Sequence, residues 1–185
     1  MKKLSLIALS AITLGLTTPS SAIFYGSVGV ASTTDFEIGS QESDGEFGYS
    51  IAVGAKVPLL PLRAEIETFK FKGSNLSGNT THDSITANGI MANVYAGIPI
   101  TIVSPYVGAG YGFAEMNLRN NGGGVDTSSG ENKAYNLMAG VDIDVPLIPV
   151  GFSIEYRFTQ IEAGDFGHNG DGEIQTIMAK ARLAF

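Results

Sequence analysis

From residue 23 to the end, apolar residues alternate with small or polar ones at a period of two, and no apolar run long enough for a spanning helix recurs. Side chains of an extended chain point to opposite faces in turn, so the pattern commits the chain to strands with two unlike faces. In the segment 47–57, Phe47, Tyr49, Ile51, Val53, Ala55 and Val57 share one face, against Gly48, Ser50, Ala52, Gly54 and Lys56. Tyr135 to Val145 repeats this, with Asp142 and Asp144 on the polar side. Phe152, Ile154, Tyr156 and Phe158 alternate with Ser153, Glu155, Arg157 and Thr159. The last segment sets Ile177, Ala179, Ala181, Leu183 and Phe185 against Thr176, Met178, Lys180, Arg182 and Ala184. Weaker segments at 23–32, 62–72, 85–98 and 106–115 bring the expected number of strands to about eight.

The connections alternate in kind. Three are short and bounded by proline: Pro58 to Pro61, Pro99 to Pro105, and Pro146 to Pro149. Four are longer and polar: Thr33 to Glu46, Gly73 to Ser84, Met116 to Asn132, and Gln160 to Gly172. Short turns at one end and long loops at the other fit an antiparallel up-and-down transmembrane β-barrel. Val57 to Leu62 and Val145 to Val150 are near copies 88 residues apart, and the register persists to Glu67 against Glu155. Continued further, it puts Phe69 and Phe71 on the polar face and Lys70 on the apolar one, so a β-bulge is expected near Thr68.

Residues 1–22 read as a secretory signal peptide: Lys2 and Lys3, an apolar run of 13 residues from Leu4 to Leu16, then Pro19, Ser20, Ser21 and Ala22. That run is short of the roughly 20 residues of a spanning helix, so cleavage between Ala22 and Ile23 is expected, with 23–185 as the barrel domain. The chain has no cysteine, which excludes disulfides and lipid attachment at the cleavage point. Subtracting Lys2 and Lys3 from 11 basic residues leaves 9 against 18 acidic ones, a net charge of about −9 without a basic patch for nucleic acid.

A soluble barrel would turn its apolar face inward. Here the polar face is rich in glycine and alanine, at Gly48, Ala52, Gly54, Gly108, Gly110, Gly112 and Gly140, as a narrow lumen requires. It also carries Lys56, Arg63, Arg157, Lys180 and Arg182 against Glu65, Glu67, Asp142, Asp144 and Glu155. Buried charges persist when paired, so a ladder of ion pairs filling the lumen is expected, with the apolar face on outer-membrane lipid.

The segment Pro105 to Ala114, Pro-Tyr-Val-Gly-Ala-Gly-Tyr-Gly-Phe-Ala, resembles the fifth strand of small outer-membrane barrels of the opacity-protein and major-surface-antigen type, and Asn93-Val94-Tyr95 before it is similar. The layout also resembles barrels of the OmpA and OmpX type. The resemblance implies a monomeric eight-stranded barrel with both termini in the periplasm. It also implies an assembly signal read by the barrel assembly machinery, carried here by Leu183 and Phe185. Lys180 departs from the pattern, standing where such families often have glycine.

No constellation for catalysis, cofactor or metal stands out. His82 and His168, the two histidines, fall in polar loops. A lipid A-modifying enzyme would need a serine, a histidine and a carboxylate converging at the rim; His168 and Glu162 could supply two of these at no fixed spacing. Asn169 to Glu173 lacks the spacing of a calcium loop, and Gly108, Gly110 and Gly112 open no helix as a phosphate cradle would. The expected role is a structural surface protein, an adhesin or antigen acting on a host or surface ligand through loops acidic at Asp35, Glu37, Glu42, Asp44 and Glu46. A narrow porin-like channel and a lipid A-modifying barrel are the alternatives.

Overall fold

The computed structural model describes residues 24–38, 41–57, 60–76, 84–98, 100, 102–119, 127–145, 148–162 and 172–185. Among them it contains strands only: β1 (Phe24–Ile38), β2 (Gln41–Gly45), β3 (Phe47–Lys56), β4 (Leu62–Leu76), β5 (Ser84–Gly97), β6 (Val103–Arg119), β7 (Thr127–Asp144), β8 (Val150–Ile161) and β9 (Gly172–Ala184). Each pairs antiparallel with its neighbour, and β1 pairs with β9 to close the sheet on itself.

The closed barrel has eight staves, because β2 and β3 form one interrupted stave between β1 and β4. The lower part of β1 pairs with β3, from Phe24 opposite Ala55 to Ser32 opposite Phe47, and its upper part pairs with β2, from Asp35 opposite Asp44 to Ile38 opposite Gln41. Both β2 and β3 pair with β4 on their other side, and between them Glu46 N donates to Lys72 O at 2.9 Å. Closure leaves the sheet no edge, which a spanning sheet requires because hydrocarbon offers no partner for a free N–H or C=O.

Strands run further toward the loops than apolar alternation reaches. The segments expected as loops at 33–46, 73–84, 116–132 and 160–172 contribute the ends of β1, β4, β6 and β8, the starts of β5, β7 and β9, and all of β2, so Asp35, Glu37, Glu42 and Asp44 belong to strands. Backbone pairing needs no apolar pattern, and the ladder continues where the side-chain signal fades.

The bulge expected near Thr68 is absent. β4 keeps one register with β5 from Leu62 opposite Ala96 to Ser74 opposite Ser84, and its pairing with β3 is equally regular around Thr68. Phe69 and Phe71 point into the lumen and are buried, while Lys70 points outward. What changes at this level is the medium outside. The same inversion runs round the barrel: Ile85, Ala87, Ala114, Met116, Ile161 and Ile174 are buried inside, beside outward-facing Thr86, Asn88, Glu115, Asn117, Gln160 and Gln175. Apolar inside and polar outside is the pattern of a barrel wall in water, so the strands project beyond the hydrocarbon above Thr68.

Candidate functional site: the filled lumen

Below that level the outer wall is apolar, with Val28, Val53, Ile66, Val94, Val107, Leu137 and Ile154 each more than half exposed. The enclosed side holds all ten charged residues expected on the polar face, and every one takes part in an ion pair. Four cations and four anions of this set are buried; Lys56 and Asp144 stand half-exposed at the turn-side mouth, 3.9 Å apart.

The charges form two tiers. Near the mouth, Asp142 on β7 accepts from Arg63 Nη1 on β4, from Arg182 Nη1 on β9 at 3.1 Å and from Ser153 Oγ at 2.8 Å. Arg182 Nη2 reaches on to Asp144 at 3.1 Å. Glu65 accepts from Tyr25 Oη at 2.7 Å and Tyr95 Oη at 3.1 Å, and the Arg63 guanidinium lies 4.2 Å from the Tyr95 ring centre and 4.4 Å from that of Tyr106. A planar guanidinium between two π-faces keeps favourable electrostatics on the sides where it has no carboxylate.

In the upper tier, two carboxylates related by the 88-residue repeat grip the same two cations from different staves. Arg157 Nη2 is 2.7 Å from Glu67 Oε2 and 2.8 Å from Glu155 Oε1; Lys180 Nζ is 3.5 Å from Glu67 Oε1 and 3.1 Å from Glu155 Oε1. Tyr106 donates to Glu155 at 2.9 Å. A relay of Thr159 to Asn136, Asn136 to Asn93 and Asn93 to Glu67 holds the opposite carboxylate at 2.8, 3.4 and 2.8 Å. In a low dielectric such a network is stable only if nearly every member is satisfied.

Above it, Phe69, Phe71, Ile85, Met91, Met116, Ile161, Ile174 and Met178 form one buried apolar cluster, with Phe69 and Phe71 stacked at 4.8 Å. The lumen is therefore filled twice over, by ion pairs below and hydrocarbon above. The glycines make room for this filling. Tyr25 is paired with Gly54, Tyr95 with Gly108 and Tyr106 with Gly140, and a Cβ on any of these glycines would lie 2.5–2.6 Å from the tyrosine ring.

Residues 4–185 match the family of outer membrane protein β-barrel domains. The chain belongs to that family. As a member of the outer-membrane β-barrels, it is placed in the bacterial outer membrane. It is similar in structure to the surface protein A of Neisseria, with a TM-score of 0.72, 20% identity, and coverage of 88% of this chain and 97% of that one. It is also similar to Ail, the attachment invasion locus protein of Yersinia pestis, with a TM-score of 0.58, 15% identity, and coverage of 89% and 99%. Ail has also been solved with the heparin analogue sucrose octasulfate. No curated protein matches the sequence.

Several lumen residues were missed by the charge count: Tyr25, Tyr95, Tyr106, Asn93 and Asn136. Their signal was parity with the glycine stripe, since Tyr106 stands two residues before Gly108 on one face. Of the residues considered for lipid A chemistry, Glu162 sits on the outside, taking a hydrogen bond from Tyr135 at 2.9 Å with Lys133 Nζ at 3.7 Å. His82, His168 and the cleavage position at Ala22 and Ile23 lie outside the described residues. No cluster able to hold a metal ion occurs among the described residues. At the closing seam Phe185 N donates to Phe24 O at 3.0 Å, and Leu183 faces outward opposite Gly26 and Val150.

Proposed function

We propose that the protein is exported by a leader cleaved after Ala22, is inserted as a monomer by the barrel assembly machinery through Leu183 and Phe185, and acts at the cell surface as an adhesin or displayed antigen. The observation that carries this reading is the doubly filled lumen. Ion pairs and an apolar plug in series among the described residues speak against a solute path and leave activity to the surface that the loops present. The names of two similar barrels, a surface protein and an attachment invasion locus protein, support the same reading. The acidic stretch at Asp35, Glu37, Glu42, Asp44 and Glu46 favours a basic partner.

The test is binding of host cells or immobilised matrix proteins to bacteria displaying the chain, before and after residues 121–126 and 163–171 are replaced by Gly-Ser linkers. Binding should fall while the heat-dependent gel shift of the folded barrel is retained. Stable conductance in planar bilayers, or an altered lipid A mass in expressing cells, would overturn the reading in favour of a channel or a lipid A-modifying enzyme.

A further inference from the structure

The three short turns carry no charged residue, and only Thr101 and Ser104 among them have polar side chains. Residues 57–62 read Val-Pro-Leu-Leu-Pro-Leu, 98–105 Ile-Pro-Ile-Thr-Ile-Val-Ser-Pro, and 145–150 Val-Pro-Leu-Ile-Pro-Val. Turns that meet water are ordinarily built from Gly, Asn, Asp and Ser, yet Leu60, Ile100 and Ile148 stand here with half or more of their surface exposed.

Their backbone is short of free donors. Of seven prolines in the chain, all but Pro19 fall in these turns, two in each, and proline carries no N–H. Leu60 N donates to Val57 O at 3.3 Å, Val103 N to Ile100 O at 3.1 Å and Ile148 N to Val145 O at 3.5 Å. The carbonyls of Pro61, Pro105 and Pro149 accept from Gly97, Ile98 and Ala184 at 2.8, 2.9 and 2.8 Å. Hydrocarbon tolerates backbone whose polar groups are satisfied internally; the six prolines offer no N–H, and the described turn groups named here are paired within the chain.

The turns also continue the lipid-facing wall without a break. Among the described residues, no charged side chain faces outward between the turn tips and the level of Lys70. On β8 the apolar outward run goes from Val150 to Phe158, and on β5 from Ile98 to Ile90. Eight steps of about 3.3 Å, tilted by about 40°, cover about 20 Å, short of the roughly 25 Å hydrocarbon band of such barrels. These runs already draw on Ile98 and Val150 of the turns, and the outward apolar faces Phe47 to Val57 and Tyr135 to Val145, ten steps each, reach about 25 Å only by including the turn residues Val57 and Val145.

We propose that these three turns are seated in the acyl chains of the inner leaflet, so that hydrocarbon is the partner of Leu60, Ile100 and Ile148. The barrel then has no water-washed hem on the periplasmic side, and Lys56 and Asp144 meet water through the open mouth.

The chain has no tryptophan, so Leu60→Trp or Ile148→Trp introduces a single reporter. Each variant is folded into phosphatidylcholine vesicles with brominated acyl chains, with Glu46→Trp as a loop-side control and iodide on both sides of the membrane. Turn tryptophans should emit at shorter wavelength than the control, lose emission to bromine and keep it in iodide. Quenching by iodide with indifference to bromine would place the turns in water and overturn the proposal. Indifference to both, varying with protein-to-lipid ratio, would mean cover by a second copy and overturn it equally. Should the tryptophan variants not fold, spin labels on Leu60→Cys and Ile148→Cys give the same decision: greater access to oxygen than to a nickel chelate supports lipid, and the reverse refutes it.

Discussion

Tyr106 on β6 fills the space over Gly140 on β7: the two are register partners, and a Cβ added to Gly140 would stand 2.6 Å from both Cζ and Oη of the tyrosine and 2.5 Å from the Ile154 carbonyl oxygen. Neither backbone nor a ring hydrogen-bonded to Glu155 can yield without loss. Gly140→Ala should therefore destabilise the barrel by about 1–3 kcal/mol, the usual range for overpacking. Gly26→Ala is the control, because the nearest atom to its added Cβ is 4.0 Å away; it should leave stability unchanged or raise it by up to about 1 kcal/mol. Urea unfolding of both variants in lipid vesicles measures the difference, and equal midpoints would refute the tyrosine-on-glycine account.

Removing Arg157 should be the most damaging change in the ion network. It is fully buried and sits between Glu67 and Glu155, leaving Lys180 alone against two carboxylates. Arg157→Met should destabilise by about 3–5 kcal/mol, as when one partner of a buried pair is lost. Adding Glu67→Gln should recover part of this, because one uncompensated charge goes with it. A double-mutant cycle read by urea unfolding checks the sign of the coupling; strictly additive losses would mean that the two residues do not act as a pair.

The phase of β4 can be read directly, because the chain has no cysteine of its own. Single cysteines at Thr68, Lys70 and Lys72 should face outward, and those at Phe69 and Phe71 should lie in the plug. A water-soluble maleimide added to the folded protein should label Lys70→Cys and Lys72→Cys and leave Phe69→Cys and Phe71→Cys unreacted. Phe71→Ala should also cost about 3–5 kcal/mol in stability, since the plug around it cannot collapse fully into the cavity. The opposite labelling pattern would restore a bulge at Thr68.

Period-two alternation states which residues share a face and not what that face touches. For β3, β7 and β8, where apolar and polar faces are cleanly separated, the sequence sufficed to assign Ile51, Leu137 and Ile154 to the outer wall and Glu155 and Arg157 to the lumen. At Phe69-Lys70-Phe71 the alternation is intact but its sense is reversed, because the outer medium has changed from hydrocarbon to water. Periodicity carries no record of depth, so a slip in register looked like the answer. The partners inside the lumen were illegible for another reason. Arg63 and Asp142 are 79 residues apart and meet across the barrel, so only closure decides which cation faces which carboxylate. The joint between β2 and β3 was equally hidden, since Glu46 interrupts the strand without interrupting the stave.

Phe185 closes the seam and, under the proposed function, carries the assembly signal, and one substitution can separate the two. Its backbone N–H closes the seam on Phe24, a bond that survives any change of side chain, whereas recognition by the assembly machinery would depend on the aromatic ring. Phe185→Ala should therefore unfold in urea within about 1 kcal/mol of the parent once refolded in vitro, since its ring lies at the wall and not in the plug. In cells the same variant should accumulate less in the outer membrane and more as unfolded periplasmic protein, measured by the heat-dependent gel shift of membrane fractions. Parallel losses in both assays would make the ring a structural element of the seam, and unchanged levels in cells would remove Phe185 from the assembly signal.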